Sequence, residues 1–466
     1  MKMRLRVLVY MNPVVVDKIS KRFLYQKDSG FLFTKSLINS LPNDWRFLVL
    51  VPKKFNSSFF PTNHIVQCIE YDYCTSIHQN RYHFNRNIIS KALPYSTDVD
   101  VIISNQPEIS ANLKVFFQNQ RRENPIIINY FHWIDCKESS DFAHGLTGYI
   151  YREIDGVLSS NLSCFHNEYA KSLYDNSVNE ITGKESSYKY GFFHPKATKF
   201  GEDPITLPDK KIILFNHRLN NTTGWQEVVD ACTELAKERD DFVLWLTDDQ
   251  SLKNKPMLEE KKFIINKRLV FNQYGYLIMK SHFSVCNTKG YATWNMSILD
   301  SILNGCLPIV PDNKLYRYML SDTGVYFNPK DLKLCIRKHL DMSVQDNRNE
   351  LKKIRMAENE IDIVKFIYDE ISDRIKDRNI TKYDDVVKYI KQKIVAEKSE
   401  FVNEFWSFHA NSNFQIIRWM LLADGFIDDT QKVKSTYHYN DKADWERQFN
   451  DDRTKQLRLD GSDVFE

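Results

Sequence analysis

The chain has 466 residues with 42% hydrophobic content, 14 Gly, 14 Pro and a formal charge of +3. That length exceeds what one hydrophobic core serves, so two or three domains are expected. The composition excludes a disordered or linker-rich chain, and the near balance of charge neither demands nor excludes a polyanionic partner.

In chain order, the first half alternates apolar runs with amphipathic stretches. Arg6–Met11 reads as a strand, Ser29–Leu41 as a helix ended at Pro42, Phe47–Val51 and Ile65–Ile69 as strands. Val99–Ser104 is a strand, Ala111–Arg122 a helix, and Pro125–Tyr130 a strand that runs into His132-Trp133-Ile134-Asp135. Gly156–Ser160 reads as a further strand and Cys164–Asp175 as a helix. The polar stretch from Asn176 to Pro208, with several Gly and Pro, reads as a linker.

A second alternating series follows. It takes Lys211–Asn216 as strand, Trp225–Arg239 as helix, Phe242–Thr247 as strand and Leu269–Phe271 as a short strand. Next come strand Ser284–Asn287, a helix opened by Thr293, Asn295 and Ser297 and running to Leu303, strand Pro308–Pro311, strand Val325–Phe327 and a helix from Asp331. Glu350–Asp373, Asp384–Lys398 and Val402–Leu422 are expected as helices, and the last 40 or so residues as a polar tail. Alternation of this kind predicts an α/β protein of two doubly wound parallel sheets facing a cleft, with a helical C-terminal extension. The expected division is 1–200, 205–345 and 346–466.

The eight cysteines are scattered without a C-x-x-C pair, which argues against zinc and redox motifs and suits a reducing compartment. No apolar run approaches the roughly 20 residues a spanning helix needs. The apolar start after Met1 is too short for a signal peptide. A cytoplasmic location is therefore expected.

The most informative run is His282–Pro311: strand, polar loop, helix, Gly305, strand. A helix N-terminus carrying small polar residues is an anion site, since free N–H groups and the helix dipole face it. Asp300 lies a turn or so inside. Asn295-Met-Ser297-Ile-Leu-Asp300-Ser-Ile-Leu-Asn-Gly305-Cys-Leu-Pro308 resembles the G-x-S-x-x-E-A-x-x-x-G-x-P signature of GT-B glycosyltransferases. Asp300 stands at the second glutamate of that family's E-x7-E motif, and Ala292 at the first. Ile213-Leu-Phe-Asn-His217-Arg218-Leu219 with Thr222-Thr223-Gly224 is similar to the family's Gly-Arg-Leu…Lys-Gly element, with Thr223 at the lysine position.

The resemblance implies a nucleotide-sugar donor, UDP-linked by preference, held by Arg218, Thr223, Asn295, Met296, Ser297 and Asp300. Asp300 takes the ribose hydroxyls in this reading, and no divalent metal is required by the motifs. For the same residues, a plain helix cap (Asn295, Ser297), a helix-face acid (Asp300) and a surface cation (Arg218) stay open. His132 and Asp135 follow a buried strand where the family places sugar contacts. Asp135 is the first candidate for a base taking the acceptor proton and Asp28 the second, against a loop acid, a satisfied core histidine and an ordinary helix start.

The segment His78–Asn87 interleaves cations with aromatics, and Arg81, Tyr82, His83 and Arg86 are candidates for acceptor contact by phosphate pairing and base stacking, against a plain solvated loop. Its character is similar to that of phage enzymes that glycosylate 5-hydroxymethylated pyrimidines in duplex DNA, which makes modified DNA the preferred acceptor partner and the host cytoplasm the expected site. A transferase building a cell-surface or capsular glycan is the alternative, and an inactive GT-B binding module is a second.

Overall fold

The structure is a computed structural model that describes residues 4–11, 28–52, 55–56, 58, 60–71, 99–119, 125–136, 149–185, 187–196, 199–201, 203–219, 222–248, 258, 260–267, 269–288, 293–356 and 360–376. The expected loop His78–Asn87 with Arg81, Tyr82, His83 and Arg86, the position Ala292, the helices Asp384–Lys398 and Val402–Leu422 and the polar tail lie outside the described residues.

The first sheet is built from β1 (Arg6–Tyr10), β2 (Arg46–Pro52), β3 (Ile65–Tyr71), β4 (Val101–Ser104), β5 (Ile126–Tyr130), β6 (Leu162–Phe165) and β7 (Tyr190–Phe192). Its order is β3-β2-β1-β4-β5-β6-β7, and each of these strand pairs is parallel. Among the described residues, four helices accompany it: α1 (Ser29–Ser40), α2 (Pro107–Asn119), α3 (Tyr149–Ser159) and α4 (Glu168–Thr182). Alternation along the strands sorts the core into two faces. Val7, Val9, Phe47, Val49, Val101 and Ile103 meet Phe33 and Leu37 of α1. Leu8, Leu48, Leu50 and Ile102 meet Ile109, Leu113 and Phe117 of α2.

The second sheet contains β8 (Lys211–Phe215), β9 (Phe242–Leu246), β10 (Ile264–Asn266), β11 (Phe283–Val285), β12 (Pro308–Pro311) and β13 (Val325–Phe327), ordered β10-β9-β8-β11-β12-β13. Among the described residues its helices are α5 (Trp225–Leu235), α6 (Phe271–Lys280), α7 (Met296–Leu303), α8 (Lys314–Leu320) and α9 (Leu332–Asp341). In each sheet the strand order reverses beside the first strand, between β1 and β4 and between β8 and β11. Crevices at such reversals, beyond the carboxyl ends of the strands, are where ligands enter this class of fold.

Two helices end the described chain: α10 (Val344–Leu351) and α11 (Ile363–Lys376). The chain crosses back to the first sheet, because Ile363, Ile367 and Ile371 of α11 are buried in the core beneath α1. Ile361 N–H donates to Phe192 O at 2.9 Å. Gly191 is required there: a Cβ on it would stand 2.7 Å from Ile361.

The α/β architecture with two parallel sheets is as expected, and several elements differ. Gly156–Ser160, expected as a strand, is the end of helix α3, and the strand follows at Leu162–Phe165. A Cβ at Gly156 would sit 1.9 Å from Pro107 O, so the glycine serves a close helix–helix approach. The linker expected from Asn176 starts later, since α4 continues to Thr182, is closed by Gly183 at φ 66°, and is followed by β7. Leu269–Phe271 is no strand: β10 precedes it and Phe271 opens α6. The single helix expected over Glu350–Asp373 is divided into α10 and α11.

Candidate active site

The carboxyl ends of β8 and β11 and the N-terminus of α7 form one polar knot. Asn216 follows β8 directly and is buried. Its Nδ2 donates to Tyr274 Oη at 3.0 Å, Ser297 O at 3.0 Å and Ser301 Oγ at 3.2 Å. Ser297 Oγ in turn donates to Asn216 O at 2.7 Å. The β8 terminus is thereby tied to the first turn of α7. Asn295 is the N-cap: its Oδ1 accepts from Ser297 N–H at 3.1 Å. Its Nδ2 donates to Tyr316 Oη at 2.9 Å and to Cys286 Sγ at 3.4 Å. Cys286 Sγ and Tyr316 Oη lie 2.8 Å apart.

Asp300 lies one turn into α7, with Tyr274 Oη 3.5 Å from Oδ2. Burial pushes its carboxyl up to about 7, against the hydrogen bond from Tyr274 and the charge of His217, which both hold it down. Burial also raises the Tyr274 phenol well above its usual range, with the Asp300 charge adding to it. Burial pushes the Cys286 thiol up, but the charge and hydrogen bonding of His217, with Thr288 and Tyr316, outweigh it and leave the thiol below its usual value.

Arg218 is exposed beside this knot and has no ion pair among the described residues. Its carbonyl accepts from Thr223 Oγ1 at 2.7 Å, so the Thr223 hydroxyl closes the β8–α5 turn. That turn ends at Gly224, φ 61°, where a Cβ would meet Asn287 O at 2.2 Å. Asn287 Nδ2 donates to Gly224 O at 3.1 Å and completes the junction. Met296 is half-buried and packs on the second core.

The first-sheet candidates lie differently. Asp28 is the N-cap of α1, and its Oδ1 accepts from Phe31 N–H at 2.9 Å. Asp135 is fully buried; its carboxylate accepts from Ile150 N–H at 3.1 Å in the first turn of α3, and its own N–H donates to Glu153. Both acids therefore fix helix starts. His132 is buried between Phe33 and Tyr130, with ring centroids at 5.9 and 5.4 Å. Burial lowers its imidazole to about 4.

Around His132 runs an aromatic seam that joins the two sheets. His166 Nδ1 lies 2.8 Å from Thr293 Oγ1, and Asn167 Nδ2 donates to Thr293 O at 3.0 Å. His194 stacks on Trp294 at 4.9 Å and 6°. His132 and His166 centroids are 6.1 Å apart. Tyr130 Oη, both ring nitrogens of His132 and of His194, and Trp294 Nε1 are buried without a hydrogen-bond partner. Among the described residues, no group of three His, Cys, Asp or Glu side chains is placed to hold a metal ion.

Asn216, His217, Tyr274, Cys286 and Tyr316 are members of the knot that sequence reading did not single out, as are His166, His194 and Trp294 of the seam. The available signal was a pair of polar residues, Asn216-His217, closing an apolar strand.

Among the described residues, no helix is long and apolar enough to cross a membrane. No protein-family description matches the chain, and no curated protein does. Solved structures do match. A sucrose-phosphate synthase from Thermosynechococcus elongatus is 12% identical, over 80% of this chain and 98% of that one, at a TM-score of 0.55. A trehalose-6-phosphate structure from E. coli bound with UDP-2-fluoro glucose is 10% identical over 75% and 94%, at 0.53. A UDP-forming α,α-trehalose-phosphate synthase from Burkholderia xenovorans is 10% identical over 75% and 94%, at 0.50. At such identity the likeness shows a shared fold, and that fold is the two-sheet GT-B architecture expected from the sequence.

Proposed function

We propose that this chain is a glycosyltransferase that moves a sugar from a nucleotide-sugar donor, UDP-linked by preference, to a hydroxyl acceptor. The observation that carries the reading is the knot at the β8/β11 reversal: a capped helix start with Asp300 one turn inside it and Arg218 exposed beside it. One of the structural neighbours is described as bound to UDP-2-fluoro glucose, which fits a donor seat of this kind.

In this reading the donor diphosphate lies at the N-terminus of α7, where backbone N–H groups, Asn295 and Ser297 face it. Arg218 bridges phosphate oxygens. Asp300, once ionised, accepts hydrogen bonds from the ribose hydroxyls. The acceptor hydroxyl oxygen bonds to the anomeric carbon, the bond from that carbon to the diphosphate oxygen breaks, and the hydroxyl proton leaves to solvent or to the departing nucleotide. The helix start and Arg218 stabilise the charge that grows on the leaving diphosphate. Thr223 keeps the Arg218 turn in shape, and Met296 packs the helix start.

The division 1–200, 205–345 and 346–466 gives the first unit the acceptor and the second the donor. His132 is the first-sheet side chain assigned to the transferred sugar. Asp28 and Asp135 serve the same site by fixing the starts of α1 and α3. The preferred acceptor is a 5-hydroxymethylated pyrimidine in phage DNA, met through Arg81, Tyr82, His83 and Arg86; a cell-surface or capsular glycan is the competing acceptor.

The test is incubation with UDP- and GDP-sugars, alone and with hydroxymethylated duplex DNA or glycan acceptors, while free nucleotide is measured. Release of UDP only with modified DNA supports the full reading, and release only with glycans supports the competing acceptor. No turnover and no nucleotide binding would leave the binding-module alternative.

A further inference from the structure

We infer that His217 recognises the donor: its Nε2–H donates to a phosphate oxygen of the nucleoside diphosphate seated at the start of α7. This rests on the donor seat proposed above and names a contact in it.

His217 follows Asn216 at the carboxyl end of β8, beside the β8/β11 reversal. Its backbone is held on one side by the Ser297 Oγ bond to Asn216 O, 2.7 Å, and on the other by Thr223 Oγ1 to Arg218 O, 2.7 Å. The ring leans edge-on against Phe215 with centroids 5.2 Å apart. It is only 8% exposed, and Nε2 has no hydrogen-bond partner. The imidazole hydrogen-bonds Cys286 and its charge reaches Asp300, while Nε2 is left without a partner. A buried imidazole nitrogen without a partner is costly, and this one stands at the strand reversal where ligands enter this class of fold.

The neighbouring groups decide what the nitrogen meets. Asp300 is the acceptor that suits hydroxyl groups, whereas an imidazole N–H beside a helix N-terminus is a donor in a field that favours anions. A phosphate oxygen is therefore its match, and the ribose is left to Asp300. His217 and Arg218 then approach the diphosphate from adjacent positions in the chain, one buried and one exposed.

The experiment is calorimetric titration of UDP and of uridine into the full chain and into His217→Gln and His217→Phe. Gln places an amide nitrogen near the position of Nε2, and Phe keeps the ring without the donor. We expect His217→Phe to weaken UDP roughly 10–100-fold, uridine to be unchanged, and His217→Gln to recover most of the UDP affinity. Unchanged UDP affinity in His217→Phe would overturn the assignment, as would an equal loss for UDP and uridine. Should His217→Phe fail to fold, His217→Asn takes its place: its shorter amide should bind uridine normally and UDP roughly tenfold more weakly than His217→Gln does, and equal UDP affinity of His217→Asn, His217→Gln and the unsubstituted chain would overturn the assignment. A wild-type chain that binds neither UDP nor uridine removes the donor seat itself.

Discussion

The knot at the start of α7 and the seam between the sheets both bury polar side chains, and they differ in how far those side chains are joined to one another. In the knot, Asn216, Asn295, Ser297, Ser301 and Tyr316 are joined in a network with distances from 2.7 to 3.4 Å. In the seam, Tyr130, His132, His194 and Trp294 hold unpartnered polar atoms among stacked rings. A buried group without a partner costs about 1–3 kcal/mol, whereas a satisfied network rigidifies its surroundings. The knot is therefore largely shaped before a ligand arrives, with Asn216 Oδ1 and His217 Nε2 its unmet atoms, while the seam keeps a polar demand spread over stacked rings.

The largest consequence is acid lability of the seam. Burial lowers His132 to about 4, and His166 well below its usual value with the His132 and His194 charges contributing. A histidine whose folded pKa lies below the unfolded value of about 6.5 contributes stability that is present above 6.5 and lost as pH falls through the folded value. His132 alone accounts for about 3 kcal/mol between those limits, since each pKa unit is worth about 1.4 kcal/mol. Urea midpoints followed by tryptophan fluorescence should fall steeply from pH 7 to pH 4.5. In His132→Gln the slope should flatten, and an unchanged slope would remove the histidine as its cause.

Breaking the knot should cost somewhat less. Asn295→Ala removes the cap of α7 and leaves Tyr316 Oη and Cys286 Sγ without its amide. A lost cap is worth about 1 kcal/mol and the stranded groups about 1–2 more. The unfolding free energy from urea titration should drop by about 2–3 kcal/mol at constant slope, and UDP affinity with it. A midpoint equal to wild type would show that the network carries no stability.

Asp300 sharpens the comparison from the ligand side. Its carboxyl is raised from 3.8 to about 7 by burial. The sign is opposite to that of the seam histidines: stability is fully present below about 4 and lost as pH rises through 7. Asp300→Asn should then stabilise the ligand-free chain at pH 8 by about 1–3 kcal/mol, with no difference at pH 4. It should also weaken UDP binding by about 1–3 kcal/mol at pH 8. In the unsubstituted chain UDP affinity should rise with pH up to about 7 and level off. Equal stability of the two proteins at pH 8 would mean that the acid is not strained in the empty site.

The knot is partly legible in the sequence and the seam hardly at all, for a physical reason. Asn295, Ser297 and Asp300 lie in one continuous helix start, so capping chemistry and spacing reveal them. Tyr274, Cys286 and Tyr316 reach the same place from α6, from the end of β11 and from α8, and only tertiary folding brings them together. Strands buried on both faces, such as Val7-Leu-Val and Ile212-Ile-Leu, were plain as apolar runs. Helix α6 was not, because Val270 offers no side-chain cap and Gly275 interrupts it where Phe200 packs close. Helix α3 was misread because Gly156 signals a break locally while its lack of a side chain admits Pro107.

The smallest expected effect separates the two regions most cleanly. His194 stacks on Trp294 through its ring face, and neither ring nitrogen has a hydrogen-bond partner. His194→Phe keeps an aromatic face of similar size and removes two unsatisfied buried atoms. Replacing an unpaired polar group by an apolar one of similar shape is neutral or favourable, so the unfolding free energy from urea titration should stay within about 1 kcal/mol of wild type or rise. His166→Phe is the matched change at a satisfied position. It deletes the 2.8 Å contact to Thr293 Oγ1 and should cost about 1 kcal/mol. If both variants lose stability equally, the nitrogens of His194 are engaged in solution, by ordered water or by a shift of the two sheets. If only His166→Phe loses it, the unmet polar demand belongs to the seam itself, and a ligand that meets it gains affinity there without having to break a bond first.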